Sequence, residues 1–191
     1  MRLLVTPRLL MRPFTLSDLE EYYTHITSDP EVMRYIGQLN GIGAPLTKDE
    51  TLGRIEKMIA GLDRDGFGML ALIERKEKRL IGRCGLCYLD GTSEVEVGYL
   101  LAKQAWGKGY ATEAAQECVR FGFSEKRLDH IVGITYPKNI ASRHVLEKLG
   151  MKEIGYSYNY SVHCVKYEKH NDMLPIREMA GSEAYYMRHA R

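Results

Sequence analysis

The sequence predicts a mixed α/β domain built on a mostly antiparallel sheet. Three observations point there. Apolar residues recur with strand and helix periodicity in alternation along the chain. Hairpin turns separate consecutive strand patterns at Lys76-Glu77-Lys78 and at Asp90-Gly91. A length of 191 residues, 45% hydrophobic and 27% charged, suits one ordinary domain with one sizeable core.

Leu3 to Arg12 reads as a strand interrupted near Thr6-Pro7. Thr15 to Thr27 reads as a helix, with Thr15 or Ser17 as N-cap and Asp18 and Glu20 near its positive end. The chain turns at Ser28-Asp29-Pro30, and Glu31 to Tyr35 is a short helical turn. Gly37 to Pro45 is a loop by composition. Thr47 and Glu50 form a capping box for a helix whose apolar stripe is Leu52, Ile55, Ile59 and Leu62, running through to Gly61. Gly68 to Arg75, Arg79 to Leu89 and Glu94 to Leu101 read as a three-stranded meander. In the third strand Val95, Val97 and Tyr99 alternate with Glu94, Glu96 and Gly98, which puts two carboxylates on one face. Gly109 to Phe123 is a helix with a small-residue face. His130 to Tyr136 follows as a buried strand, and Asn139 to Leu149 as a helix capped by Asn139 and stopped by Gly150. Two aromatic-rich strands come last, near 151–158 and 162–169.

Charge and cysteine usage narrow the function classes. Twenty-seven Lys and Arg against 25 Asp and Glu leave a net charge of +2, so nothing in the overall balance favours nucleic acid or a membrane surface as partner. No apolar run approaches the roughly 20 residues that span a bilayer, and Pro7, Arg8 and Arg12 break the first segment, so a cytoplasmic protein is expected. The four cysteines, at 84, 87, 118 and 164, read as free thiols. Cys84 and Cys87 have C-x-x-C spacing, but an odd separation on a strand sends the sulfurs to opposite faces, and no second ligand pair accompanies them; no metal is expected. The six histidines are dispersed, and His130 and His144 read as packing or surface residues.

The most specific segment is Gln104-Ala105-Trp106-Gly107-Lys108-Gly109-Tyr110-Ala111, between a strand and a helix. Its glycines permit positive φ or close approach of a ligand, and amides at a helix start favour an anion such as a pyrophosphate. A P-loop is excluded because Gly107-Lys108 is followed by Gly109 rather than Ser or Thr. The dinucleotide fingerprint needs three glycines at another spacing. A bare pair of glycines making a tight turn is the plainer reading.

In context, Q-x-x-G-x-G-Y-A resembles the acyl-CoA-binding signature of the GCN5-related N-acetyltransferases. Residues 6–14 (TPRLLMRPF), 28–37 (SDPEVMRYIG), 96–101 (EVGYLL), 106–114 (WGKGYATEA) and 139–151 (NIASRHVLEKLGM) resemble the branch containing ribosomal-protein N-terminal acetyltransferases. The resemblance implies a domain over residues 1–170, with 171–191 as a C-terminal extension, and acetyl-CoA as co-substrate. It also implies a sheet whose central strands, Glu94 to Leu101 and Ile131 to Tyr136, splay to admit the pantetheine arm. Carried onto this sequence, the cofactor contacts are Leu101, Ala102, Gln104, Trp106, Gly107, Lys108, Gly109, Tyr110, Ala111, Thr112, Asn139 and Ser142. Amides from Trp106 through Ala111 would cap the pyrophosphate, and Lys108 adds a point charge.

Acetyl transfer to an amine needs a base for the amine, a donor for the developing oxyanion and a proton for the leaving thiolate. Glu96 and then Glu94 are the candidate bases, on the face expected to line the cleft; a solvated strand face is the rival reading. The resemblance implies a backbone N–H near Leu100 or Leu101 for the oxyanion. Where relatives carry an acidic Tyr this chain has Leu146, which leaves Ser142 as the candidate acid, or else an ordinary first-turn Ser. A peptide or protein N-terminal α-amine is the leading acceptor. A small amine (polyamine, amino acid or aminoglycoside) is the alternative, and a non-catalytic CoA-binding sensor is the other. Tyr156, Tyr158 and Tyr160 either shape an acceptor groove or serve strand propensity. Pro175 would open a short helix in the extension. A homodimer is compatible with the resemblance, but no interface is specified.

Overall fold

The computed structural model describes residues 3–36 and 43–172. One eight-stranded sheet carries the molecule, in the order β1-β2-β3-β4-β5-β6-β8-β7. Its strands are Leu4–Val5 (β1), Leu9–Arg12 (β2), Met69–Glu74 (β3), Arg79–Tyr88 (β4), Val95–Leu101 (β5), His130–Thr135 (β6), Lys152–Asn159 (β7) and Val162–His170 (β8). Every neighbouring pair is antiparallel except β5 with β6. The interruption at Thr6-Pro7 is sharper than a kink: the chain reverses there, and β1 pairs back on β2 with Leu4 opposite Met11.

The helices are Leu19–Tyr22 (α1), Pro30–Met33 (α2), Lys48–Asp65 (α3), Tyr110–Ser124 (α4) and Ile140–Lys148 (α5). The helix expected over 15–27 is a composite. A 3-10 turn at Leu16–Asp18 enters α1, which widens into a π turn at Tyr23–Thr27. Thr47 and Glu50 form the expected capping box, with the Thr47 amide 2.7 Å from Glu50 Oε2. That helix runs past Gly61 to Asp65, because the left-handed stop (φ +69°) is Gly66.

Two cores lie on opposite faces of the sheet. On one face, Leu70, Leu86, Val97 and Ile131 pack with Ala114, Ala115 and Cys118 of α4. On the other, Ala71, Leu80 and Leu100 pack with Tyr22, Ile26, Met33 and Ile55 from α1 to α3. Cys84 enters the first core, with its sulfur 3.7 Å from Cys118 Sγ, while Cys87 points the other way toward Glu96. Asn171 belongs to the fold as well: its Nδ2 donates to the Phe123 and Leu128 carbonyls at 3.3 and 3.0 Å. Most of the expected loop (residues 37–42) and the expected helix from Pro175 lie outside the described residues.

Strands β5 and β6 hold the site. They pair at a single position, Glu96 opposite Val132, and diverge beyond it. The gap between Val97–Leu101 on one side and Gly133–Thr135 on the other is a V opening toward the start of α4.

Candidate active site

At the mouth of the V lies a cleft of about 500 Å³, within the range that holds small-molecule ligands. One wall is Tyr99, Leu100 and Leu101 of β5, continued by Ala105, Trp106, Gly107 and Gly109 to Thr112. The opposite wall is Asn139, Ala141, Ser142, His144, Val145 and Lys148 of α5 and its cap. Residues Glu31 to Ile36, apart from Met33, close the top.

The turn before α4 is short of acceptors for its own amides. Among the described residues none is found for the amides of Gly107, Lys108, Gly109, Tyr110, Ala111 or Thr112; the helical ladder begins at Glu113, whose N–H donates to the Gly109 carbonyl. Gly107 and Gly109 adopt φ of +72° and +79°, which fold this run back on itself. The Trp106 amide departs from expectation: it donates to the Lys103 carbonyl, so the open run starts one residue later than anticipated. Arg8 steadies the turn from the β1–β2 connection. Its guanidinium donates to the Lys108 carbonyl at 2.9 Å, binds Glu113, and lies 4.7 Å from the Tyr110 ring centroid. Open amides, a helix N-terminus and a guanidinium together suit a diphosphate.

Three of the expected contacts fall elsewhere. Ala102 is buried in the core beneath α1 to α3, Gln104 projects outward from a 3-10 turn, and the exposed Lys108 offers its backbone to the turn but does not line the cleft. Leu101, Trp106, Gly107, Gly109, Tyr110, Ala111, Thr112, Asn139 and Ser142 do line it. The Trp106 indole donates to the Leu101 carbonyl at 2.9 Å, which fixes the end of β5.

On the facing wall, Asn139 Oδ1 accepts from the Ser142 amide at 3.2 Å, the cap expected for α5. Ser142 meets an unforeseen partner: the Tyr99 hydroxyl is 3.0 Å from both its Oγ and its carbonyl oxygen. Burial pushes the Tyr99 phenol well above its usual range, so it keeps its proton. Leu146 is a core residue, and its side chain fills the space that a Cβ on Gly133 would need.

The two glutamates do not share a fate, and neither lines the cleft as anticipated. Glu94 precedes the bridge and is spent on an ion pair, 2.6 and 2.8 Å from Lys166 Nζ, with His130 at 3.8 Å. Glu96 sits at the apex of the V with 8% exposure, so the solvated-face reading fails for it. Its Oε1 accepts from the Tyr160 hydroxyl at 2.5 Å and from Cys87 Sγ at 3.3 Å, while Oε2 accepts nothing from the described protein and is not sealed off. Burial is the largest influence on this carboxyl and raises its pKa above the ordinary range.

An acetyltransferase (GNAT) domain model matches residues 8–152. The chain belongs to the GNAT family of acetyltransferases. The N-acetyltransferase YnaD of Bacillus subtilis (strain 168) is 33% identical over 153 residues, spanning 80% of this chain and 84% of YnaD. The GNAT acetyltransferase of Bacillus anthracis superposes with a TM-score of 0.75 at 28% identity, covering 89% of this chain and 99% of its own. A ribosomal L7/L12 α-N-protein acetyltransferase in complex with coenzyme A shares the fold, with a TM-score of 0.74 at 14% identity over 90% of this chain and 99% of that one.

For this GNAT acetyltransferase, sequence reasoning missed Arg8, Tyr99 and Cys87 as parts of the site. Arg8 stands 100 residues before the turn it braces, and Tyr99 reads as one more apolar position in an alternating strand. Tyr160 was visible only as a member of an aromatic cluster; its bond to Glu96 depends on the β7–β8 turn folding over β5. No helix among the described residues is long and apolar enough to cross a membrane.

Proposed function

We propose that this acetyltransferase binds acetyl-CoA in the β5–β6 cleft and acetylates the α-amine of a peptide or protein. The carrying observation is the run of open amides from Gly107 to Thr112 at the head of α4, beside a V whose walls present strand backbone on one side and Ser142 on the other. The diphosphate is held by those amides with Arg8 behind them, and Asn139 Nδ2, unused by the helix cap, is available to the pantetheine arm. Acetyl-CoA, when bound, supplies the acetyl group as a thioester.

The residues of this chain divide the proton work. Glu96 Oε2 takes the proton that the amine must lose, directly or through water, and burial gives Glu96 the basicity for it. Ser142 Oγ, backed by the Tyr99 phenol, returns a proton to the departing sulfur. Net transfer moves one proton from nitrogen to sulfur and leaves no group attached to the enzyme. An α-amine suits this base: with a pKa near 8 it is roughly one-quarter neutral at pH 7.5, against about one-thousandth for a lysine near 10.4. The likeness in fold to an α-N-protein acetyltransferase supports the same choice.

The test is release of coenzyme A thiol from acetyl-CoA in the presence of short peptides with free N-termini, compared with the same peptides blocked at the N-terminus and carrying a lysine. Release with the free α-amine only is the expected result. Equal release from the lysine-only peptides would reject the α-amine assignment.

A further inference from the structure

Among the described residues, the buried side-chain polar atoms without a hydrogen-bond partner are Arg83 Nε, Ser157 Oγ and Asn159 Oδ1. All three belong to the face of the sheet that carries Glu96. In β4, Cys87 stands opposite Glu96 and Arg83 opposite Leu100, and residues 83, 85 and 87 alternate onto that one face. In β7, Ser157 stands opposite Cys164 of β8, on the side from which Lys166 reaches Glu94; Asn159 follows two residues on. Glu96 therefore lies between an unanswered cation and a pair of unanswered polar groups.

The cation is doubled. Arg83 NH1 reaches only the thioether of Met58, at 3.9 Å, which is a weak acceptor. Arg54 lies one helical turn before Met58 on α3, partly buried, and makes no ion pair among the described residues. Burial, and after it repulsion from the Arg83 guanidinium, lowers the Arg54 pKa. Glu50, the carboxylate in Arg54's field, is bound to Thr47. Glu96 lies within Arg83's field, but its Oε1 is already occupied by Tyr160 and Cys87. Unpaired, partly buried cations cost stability, and within the fold nothing is gained from placing two together.

We infer that Arg83 and Arg54 receive a carboxylate carried by the acceptor, whose amine then lies at Glu96. The inference rests on the transfer reading above and narrows its substrate class to amines that also bear an anionic group. Two sources share this chemistry: an acidic side chain near the N-terminus of a peptide, and the α-carboxylate of a free amino acid. Polyamines and aminoglycosides, as polycations, are repelled from the same place. Ser157 and Asn159 offer their oxygens to N–H groups of the acceptor on the far side of Glu96.

The experiment uses the whole chain and two matched pairs of acceptors: a peptide with Asp at its second position against the same peptide with Asn, and alanine against alaninamide. Coenzyme A release gives kcat/KM, and calorimetry with coenzyme A present gives affinity even where transfer is slow. We expect one acidic member to lead its neutral twin by about ten- to a hundredfold, with the preference shrinking toward one in Arg83→Met and in Arg54→Met. A lead by the peptide pair identifies the side chain as the source; a lead by alanine identifies the α-carboxylate and discards the peptide reading while keeping the arginines. Equal rates within both pairs overturn this inference, and turnover of the two peptides at that equal rate keeps the peptide reading. No binding by either acidic member, or a preference that survives both substitutions, also overturns it. Arg83→Met is further expected to raise the thermal midpoint, because it removes an unpaired charge; a lower midpoint would mean that Arg83 serves the fold and would overturn the assignment.

Discussion

The turn at 104–112 and the pocket around Glu96 flank the same strand and are built in opposite ways. The turn is contiguous: two glycines in the left-handed region and the head of one helix leave main-chain donors open, and a single distant residue, Arg8, braces them. The pocket is assembled from afar. Glu96 comes from β5, Cys87 from β4 and Tyr160 from the β7–β8 turn, 64 residues away in sequence. The first region leaves hydrogen-bonding capacity unused so that an anion can claim it; the second strips water from a carboxylate so that it holds a proton more strongly. On the proposed reading, an anion site can thus be written into a short stretch of backbone, whereas a tuned base needs the completed fold.

The strongest way to break that contrast is Glu96→Gln. Loss of a general base is expected to lower kcat by about 10²- to 10⁴-fold, with coenzyme A affinity by calorimetry retained, because the amide turn is untouched. The sign of the stability change is opposite. Burial raises the folded-state pKa of Glu96, so its contribution to stability is fully present below the ordinary carboxylate pKa and is lost as pH rises through the raised value. Glu96→Gln should therefore melt above the parent at neutral pH, with the gap closing on acidification. Activity follows the ionised form and should rise with pH through the same raised value. In Tyr160→Phe, which removes a bond that favours ionisation, the acid limb of kcat/KM should move to higher pH. A limb that stays in place would separate Tyr160 from the base.

Gly109→Val attacks the other region. Its backbone lies at φ +79°, and a Cβ there would point at the Arg8 guanidinium, 3.5 Å away. A left-handed β-branched residue is strained by about 1–2 kcal/mol or more; the free turn sheds that strain by leaving the conformation that presents its amides, binding must restore it against a side chain in the anion's path, and coenzyme A dissociation constants should rise on the order of thirtyfold. The acid limb set by Glu96 should not move. If it did, the turn and the surroundings of Glu96 would be coupled rather than independent.

The same division explains what could be read from the sequence. Alternation, caps and hairpin turns are local, so the meander of β3 to β5, the capping box at Thr47 and the Asn139 cap are visible in short windows of sequence. The glycine-punctuated turn is visible for the same reason. Alternation assigns Glu94 and Glu96 to one face but cannot say that Lys166 neutralises one while Tyr160 and Cys87 desolvate the other. Those partners lie on strands whose order is settled only when β8 inserts between β6 and β7. Tyr99 escaped notice because a phenol in an apolar alternation looks like core until α5 places Ser142 against its hydroxyl.

Ser142→Ala is expected to be milder than Glu96→Gln. The Tyr99 hydroxyl reaches across the cleft to stand 3.0 Å from Ser142 Oγ and retains a proton, so it can serve the departing sulfur in the absence of Ser142. A loss in kcat of about tenfold is expected, at the low edge for general-acid catalysis, and the double variant with Tyr99→Phe should lose more than the sum of the two in logarithmic terms. Strict additivity would show that the two hydroxyls act independently.

The smallest effect tests the two glutamates against each other. Lys166→Met leaves Glu94 with only His130, at 3.8 Å, and removes the cation that shields a half-buried carboxylate. With the Lys166 and Glu94 side chains 18% and 30% exposed, the cost should be about 1–2 kcal/mol, read as a lower urea midpoint with an unchanged slope. If Glu94 were the base, freeing it from Lys166 would change the pH profile of kcat/KM. Because Glu94 lies on the closed side of the single β5–β6 bridge and Glu96 at the apex of the open side, the limb should stay where Glu96 sets it while stability falls.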